Sequence, residues 1–309
     1  MPHPFSDRPL RLGTRASPLA MAQAMLAKTA LITAHGWADT AVELVPLVAA
    51  GDRIQDRALA DVGGKALWTR ELDAALIAGR IDAAVHSMKD VETIRPEAFV
   101  IAALLPRADV RDRLVGADSI ADLPQGATIG TASPRRTAQL LRMRPDLKVV
   151  LLRGNVGTRL AKIARGEAAA TLLAAAGLDR LDMAGIGVAI AVDQLLPAPA
   201  QGAVGIEVLA DHAAVRSLVS AINDDAACRC VMAERELLAE LGGDCRSPVA
   251  ALAVVEPGGA IRLRAALYAV DGADMVAGDV LLSDQDTPVT LAQMLLTAAA
   301  PSIRSLFAG

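Results

Sequence analysis

Apolar residues in this chain fall into short runs separated by longer runs of helical period, the pattern of strands alternating with helices in an α/β fold. Two distant stretches repeat one another. Leu10-Arg11-Leu12-Gly13-Thr14-Arg15-Ala16-Ser17-Pro18 runs into an apolar-rich helical stretch at 19–32, and Ala127-Thr128-Ile129-Gly130-Thr131-Ala132-Ser133-Pro134 runs into another at 135–143. Each reads as a strand, a Gly-Thr turn, a serine N-cap, a proline at the first helical position, then helix. A second echo follows each: a helix at 72–79 leads to a strand at 81–85, and a helix at 160–166 leads to a strand at 168–173. The spacings differ, which excludes a solenoid and fits two α/β lobes of related layout; chance similarity of common strand-to-helix junctions is the plainer alternative. Ligands of such lobes bind at the carboxyl ends of strands, where both Ser-Pro junctions lie.

Residues 195–202, Leu-Leu-Pro-Ala-Pro-Ala-Gln-Gly, form a connector suited to a return crossing between lobes. Beyond it, 225–241 reads as a helix carrying Cys228 and Cys230, whose thiols fill space. The chain then alternates over 250–255, turns at Glu256-Pro257-Gly258-Gly259, and alternates again over 261–270 to an Asp271-Gly272 turn. A small antiparallel sheet followed by one helix over 290–307 is expected, as a third domain.

Composition narrows the chemistry. Among 309 residues, 53% are hydrophobic but only 2% aromatic, so the cores are filled by Ala, Val and Leu, and base-stacking platforms for nucleic acid are disfavoured. A formal charge of −4 gives no global attraction for nucleic acid or an acidic membrane, so any anion site arises from local clustering. No apolar run is long enough to span a membrane. Three cysteines make a disulfide framework improbable, and the first residues lack the blocks of a signal peptide, so a cytoplasmic protein is expected.

Local clustering is present. Arg15 sits in the first Gly-Thr turn, and Arg135 and Arg136 open the matching helix. Arg153 ends a strand at 148–152, Arg159 lies a helical turn further on, and Arg180 follows the strand after it. Helix N-termini add to the attraction for anions, and guanidinium forks match carboxylates and phosphates. Surface arginines paired with acids would explain one or two of these; several at ligand-facing junctions favour a shared anion site. Gly63-Gly64-Lys65 lacks the remainder of a P-loop, so an organic polycarboxylate is at least as good a candidate as a nucleotide.

Two further stretches carry candidate chemistry. His86-Ser87-Met88-Lys89-Asp90-Val91 follows a strand, and its Lys-Asp pair can supply a cation for substrate and a carboxylate for proton transfer or cation stabilisation. Two solvated loop charges are the plainer alternative. Cys245 lies in Leu241-Gly242-Gly243-Asp244-Cys245-Arg246-Ser247-Pro248, where an adjacent arginine can lend a thiol thiolate character; lone loop cysteines are otherwise commonly incidental.

Together these motifs resemble the porphobilinogen deaminase (hydroxymethylbilane synthase) family. The matching runs are 13–20, 62–67, 86–91, 130–136, 152–160 and 198–207 with Gln201-Gly202-Ala203-Val204-Gly205-Ile206-Glu207, closed by the Cys245 loop; they fall in family order from about 10 to 270. The resemblance implies a transferase of heme and other tetrapyrrole biosynthesis. It would join four porphobilinogen molecules, with release of ammonia, into hydroxymethylbilane on a dipyrromethane cofactor held by a thioether. It implies Cys245 as the attachment point and Asp90 as the catalytic aspartate. It implies Lys89, Ser133, Arg135, Arg136 and Arg159 as cofactor-binding residues and Arg15, Ser17, Arg153, Arg180 and Lys65 as substrate-binding residues.

The implied fold is α/β with three domains. Lobe 1 comprises 1–105 with 202–221, and lobe 2, 106–201, is inserted in it. Both resemble type II lobes of two-lobed periplasmic binding proteins. A C-terminal α+β domain, 222–309, has a three-stranded antiparallel sheet and carries the cysteine. A mobile loop at 56–67, a monomer, and no metal, nucleic acid or membrane partner are also implied. Trp68 stands where the family commonly has phenylalanine, Asp61 where a basic residue can occur, and Asp244 in place of a glycine beside the cysteine. The rivals are a solute-binding module for an anion, which needs neither Cys245 nor Asp90, and a nucleotide-using transferase.

Overall fold

The computed structural model describes residue 5, residues 8–48 and residues 69–307. They fall into two compact units. One contains the N-terminal part, the stretch ending at Ala108 and Gly202–Cys228; the other contains Asp109–Gln201 and the chain from Arg229. In chain order the elements are β1 (Leu10–Arg15), α1 (Pro18–His35), β2 (Val42–Leu47), α2 (Arg70–Ile77), β3 (Ala83–Ser87) and β4 (Phe99–Leu104). Then come β5 (Asp112–Val115), β6 (Thr128–Gly130), α3 (Pro134–Met143), β7 (Lys148–Val150), α4 (Val156–Ala164), β8 (Ala170–Ala174), α5 (Ala175–Asp179) and β9 (Val188–Ala189). The chain continues through β10 (Val204–Leu209), α6 (Ala213–Ser220), α7 (Asp225–Glu240), β11 (Val249–Val255), β12 (Ile261–Tyr268), β13 (Met275–Leu281), α8 (Pro288–Ala298) and α9 (Pro301–Arg304).

The internal echo is a structural repeat. The first sheet has the order β2-β1-β3-β10-β4 and the second β7-β6-β8-β5-β9. In each, the strand before the Ser-Pro junction is second in the order and parallel to both neighbours. In each, the next strand outward runs antiparallel and is followed by an antiparallel edge strand. β1 and β6 carry equivalent glycines, Gly13 and Gly130. A Cβ on Gly13 would collide with the side chains of Ile81 and Leu72, and one on Gly130 with Leu152. Glycine is required there because a neighbouring side chain packs directly on the backbone.

β3 and β8 are buried along almost their whole length, as apolar strands covered on both faces should be. The first sheet packs Leu10, Leu12, Val85 and Ile206 against Ala24, Ala27 and Leu31 of α1. The second has its own core around Ile129, Leu140 and Leu172. Each fully buried leucine contributes about 1.5–3 kcal/mol relative to exposure.

The third sheet is antiparallel, β11-β12-β13, with a core that includes Leu237, Leu263, Leu291 and Leu295. β13 alternates exposed and half-buried positions, and Gly278 admits Leu291 of α8. The expected single C-terminal helix is instead two. α8 ends at Ala298 and α9 begins at Pro301, because proline brings no amide hydrogen and forces the residue before it out of helical geometry.

The connector is tightly fixed. Ala200 has a left-handed backbone, φ 60°, and its N–H donates to the buried Glu234 at 2.6 Å. The other Glu234 oxygen accepts the N–H of Ala253 at 2.7 Å. Among the described residues no helix is long and apolar enough to cross a membrane.

Candidate active site

In the first unit, β1 and β3 run parallel, so their carboxyl ends share one edge of the sheet. Arg15 closes β1, and Ser17 just beyond it caps α1 by accepting the N–H of Ala20 at 3.4 Å, with Pro18 at the first helical position. β3 runs directly into a 3₁₀ turn, Met88–Asp90. The turn is held from below. Met88 is fully buried, its N–H donates to the carbonyl of Ala203 at 3.1 Å, and its sulfur lies where a Cβ on Gly205 would be. Lys89 and Asp90 are thereby raised at the sheet edge, half-buried.

Arg15 Nη1 lies 3.7 Å from Asp90 Oδ2, an ion-pair distance rather than a short hydrogen bond. Both line a pocket with Gln23, Thr69, His86 and Ser87. A carboxylate beside a guanidinium at the mouth of a pocket can hold a substrate cation while the guanidinium takes a substrate anion.

Behind this pocket lies a charged cluster centred on Arg95. Its Nε donates to Glu207 Oε1 at 2.8 Å and its Nη2 to Glu207 Oε2 at 3.0 Å. Nη1 donates to Glu92 at 2.8 Å, and Nη2 donates also to Asp73 at 2.6 Å. His86 Nε2 lies 3.2 Å from Glu207 Oε2, and Thr69 Oγ1 donates to Glu92 at 2.8 Å. Burial works against the Glu207 carboxylate, but His86 and Arg95 outweigh it and hold its pKa below the ordinary value. At Asp73 burial prevails and the pKa is raised. Burial also opposes the Arg95 charge, yet the surrounding carboxylates push its pKa above the usual arginine value.

The second unit repeats the edge. Ser133 caps α3 by accepting the N–H of Arg136 at 3.4 Å, again with proline next. Arg135 and Arg136 converge on the fully buried Asp112: Arg135 Nη2 donates to Oδ2 at 2.8 Å and Arg136 Nη2 to Oδ1 at 2.7 Å. Their other terminal nitrogens donate to the carbonyls of Leu196 and Leu172. Gln201 of the connector donates to Asp112 Oδ1 at 2.9 Å and to the carbonyl of Val110 at 2.7 Å.

Burial would raise the Asp112 pKa, but the two guanidinium groups reverse this and hold it far below the carboxylate range. The trio therefore carries a formal charge of +1. Among the described residues the buried Nε atoms of both arginines have no hydrogen-bond partner. The pairing with acids considered for surface arginines thus describes the fork ends of these two, in the core rather than at the surface.

Arg153, buried, follows β7, and Arg159 lies in the first turn of α4, its Nε donating to the carbonyl of Gly154 at 2.9 Å. Arg180 caps the end of α5, which follows β8, and burial lowers its pKa. β6, β7 and β8 are parallel neighbours, so Ser133, Arg135, Arg136, Arg153 and Arg180 all follow strands ending at one edge of this sheet.

Cys245 lies in the turn between α7 and β11 and is exposed and in no disulfide. Arg246 does not stand open beside it: Nη2 pairs with Asp244 Oδ2 at 2.5 Å, and Asp244 Oδ1 accepts the N–H of Arg246 at 2.8 Å. The expected electropositive setting from Arg246 is therefore offset by Asp244. Cys230 is buried in the core of the third sheet, and burial raises the pKa of Cys228, as space-filling thiols should behave. Lys65, Asp61, Trp68 and the loop expected at 56–67 lie outside the described residues.

Sequence reasoning missed Asp112, Glu207 and Arg95. Glu207 lay within a quoted motif, and its place in an otherwise buried strand was the available signal. Asp112 and Arg95 gave none that could be told from ordinary surface charge.

Residues 10–217 match the family described as "Porphobilinogen deaminase, dipyromethane cofactor binding domain", and residues 228–299 match "Porphobilinogen deaminase, C-terminal domain". A porphobilinogen deaminase of Sphingopyxis alaskensis is 62% identical over 307 residues, covering 98% of each chain. One from Paracoccus denitrificans is 50% identical over 283 residues, covering 90% of this chain and 89% of that one. A chloroplastic one from rice is 47% identical over 268 residues, covering 85% and 75%. Similar solved structures include the second substrate binding domain of a putative amino acid ABC transporter from Streptococcus pneumoniae. It has 13% identity and a TM-score of 0.41, and covers 70% of this chain and 92% of its own.

Proposed function

The chain belongs to the porphobilinogen deaminase family, and on that premise we propose that the Arg15–Asp90 pocket is where its chemistry takes place. The enzyme is a transferase of tetrapyrrole and heme biosynthesis. It joins four porphobilinogen molecules into linear hydroxymethylbilane, releasing ammonia at each addition, on a dipyrromethane cofactor.

At each addition the aminomethyl C–N bond of porphobilinogen breaks, ammonia departs, and the methylene carbon left as a pyrrole-stabilised cation bonds to the α-carbon of the growing chain, which gives up a proton. Asp90 is the group to stabilise that cation, since an ionised carboxylate held at a fixed edge is preorganised for positive charge. Arg15, 3.7 Å from it, would take a carboxylate of the same substrate and so bring the reacting carbon to Asp90. This one juxtaposition carries the proposal. Lys89 adjoins it in the same turn, and the capping Ser17 follows Arg15.

The residues of the second unit suit the cofactor. Each pyrrole carries two carboxylates, and the Arg135–Arg136–Asp112 trio keeps a net positive charge and two unpartnered Nε–H groups among the described residues. We propose that Arg135, Arg136, Ser133, Arg159 and Lys89 hold the cofactor, that Cys245 bonds it through sulfur, and that Arg153, Arg180 and Lys65 bind substrate carboxylates. When bound, dipyrromethane supplies a tethered pyrrole with a nucleophilic α-carbon. Cys245 is suited to the attachment because it is exposed on a turn.

Three separate sheets, each with its own apolar core, support three domains at 1–105 with 202–221, 106–201 and 222–309. We propose a cytoplasmic monomer, the expectation that the family carries.

The test is Asp90→Ala with porphobilinogen as substrate. The variant should keep its circular dichroism and melting temperature, while ammonia release falls by roughly 10²–10⁴-fold. Near-normal release from the folded variant would remove Asp90 from the reaction.

A further inference from the structure

We infer that Arg95 is a positioning residue for the reaction: its single guanidinium clamps both ends of the loop that presents Asp90. The inference rests on Asp90 being the reacting carboxylate. The loop runs from His86, the last buried residue of β3, through the 3₁₀ turn to Glu92. At its start, His86 Nε2 lies 3.2 Å from Glu207 Oε2, and Arg95 grips both oxygens of that carboxylate, at 2.8 and 3.0 Å. At its end, Glu92 accepts from Arg95 Nη1 at 2.8 Å. Between the two anchors lie Lys89 and Asp90.

The same guanidinium fixes the opposite wall of the pocket. It donates to Asp73 in α2 at 2.6 Å, and Thr69, which lines the pocket, donates to Glu92 at 2.8 Å. The Arg95 side chain is only 9% exposed, and its Cζ lies 4.9 Å from the ring centroid of Phe99 in β4. It therefore cannot follow solvent, and its planar fork sets relative positions that a flexible point charge would not. Three segments meet on one cation, the chain just after the 3₁₀ turn, α2 and β10, and the end of β3 joins them through Glu207.

A residue whose role is to hold Asp90 should affect the chemical step more than substrate capture. Misplacing a catalytic group by about 1 Å costs on the order of 10²-fold. In the full-length holoenzyme, Arg95→Leu is expected to lower kcat by at least ~10-fold per folded molecule while KM stays within ~2-fold, and Arg95→Lys to recover only part of the loss, since a single ammonium restores the charge but not the three-way fork. Because Arg95→Leu leaves Glu207 buried without its arginine and so puts folding itself at stake, Glu92→Gln provides a second reading. It weakens the tie at the loop's end, together with the Thr69 contact, while leaving Arg95 on Glu207 and Asp73, and should lower kcat by roughly 3–10-fold with a melting temperature close to that of the parent.

Unchanged kcat in folded Arg95→Leu, or in Glu92→Gln, overturns the clamp, as does a rise in KM at constant kcat. Asp90→Ala, assayed in parallel, separates the two failures. If it is inactive while Arg95→Leu and Glu92→Gln turn over normally, the clamp alone is wrong; if it turns over normally, the reading of Asp90 is wrong.

Discussion

Arg15 and Asp90 leave neighbouring strands of one parallel sheet and meet at its carboxyl edge, Nη1 to Oδ2, 3.7 Å apart. Their pairing follows from the register of β1 on β3, in which Gly13 sits opposite Ala84. The separation leaves room for a substrate carboxylate to compete for the guanidinium.

Arg15→Leu tests that competition. If Arg15 captures a substrate carboxylate, its loss should raise KM for porphobilinogen about tenfold or more, the worth of one charge-assisted hydrogen-bonded pair. Steady-state kinetics on the folded variant check this. Unchanged KM would mean that Arg15 serves only to pair with Asp90.

Asp112 should govern acid stability. Asp112→Asn removes the one carboxylate that both buried guanidinium groups share, and loss of one partner from such a cluster costs about 3–5 kcal/mol. The folded pKa lies below the unfolded one, so the stabilisation is complete above the unfolded value of about 4 and declines as pH falls towards the folded value. Urea unfolding should therefore show the gap between parent and variant narrowing below about pH 4. A gap independent of pH down to acid unfolding would contradict the ionised trio.

How much of this was legible in the sequence depends on how local each feature is. The two Ser-Pro junctions, Ser17-Pro18 and Ser133-Pro134, were readable because a cap and its helix lie within a few residues of each other. Asp90 and Cys245 stood out only through the resemblance, since a Lys-Asp pair or a loop cysteine is ordinary by itself. Arg135 and Arg136 were seen as cations but not as partners of Asp112, which is 23 and 24 residues away and meets them only through the packing of β5 beside β8. Arg95 was missed for the same reason: Glu207 is 112 residues distant. The break before Pro301 was local and available, but the apolar run through it concealed it.

Gly205→Ala tests whether the turn beneath Asp90 is set by packing. A Cβ there would meet the Met88 sulfur, so Met88 must shift and the Met88–Asp90 turn with it. Overpacking of this kind costs about 1–3 kcal/mol. The variant should melt lower and turn over more slowly. Adding Met88→Ala, which makes room, should restore part of the turnover; parent-like behaviour of Gly205→Ala would show that the turn does not depend on this contact.

The reading as a whole turns on a covalent group at Cys245, and intact-protein mass spectrometry examines it directly. The parent should be heavier than its sequence by two porphobilinogen units less their ammonia, and Cys245→Ala should show the sequence mass alone, with no product formed. A fully active parent at its unmodified sequence mass, or a Cys245→Ala protein that still carries the addition, would contradict it.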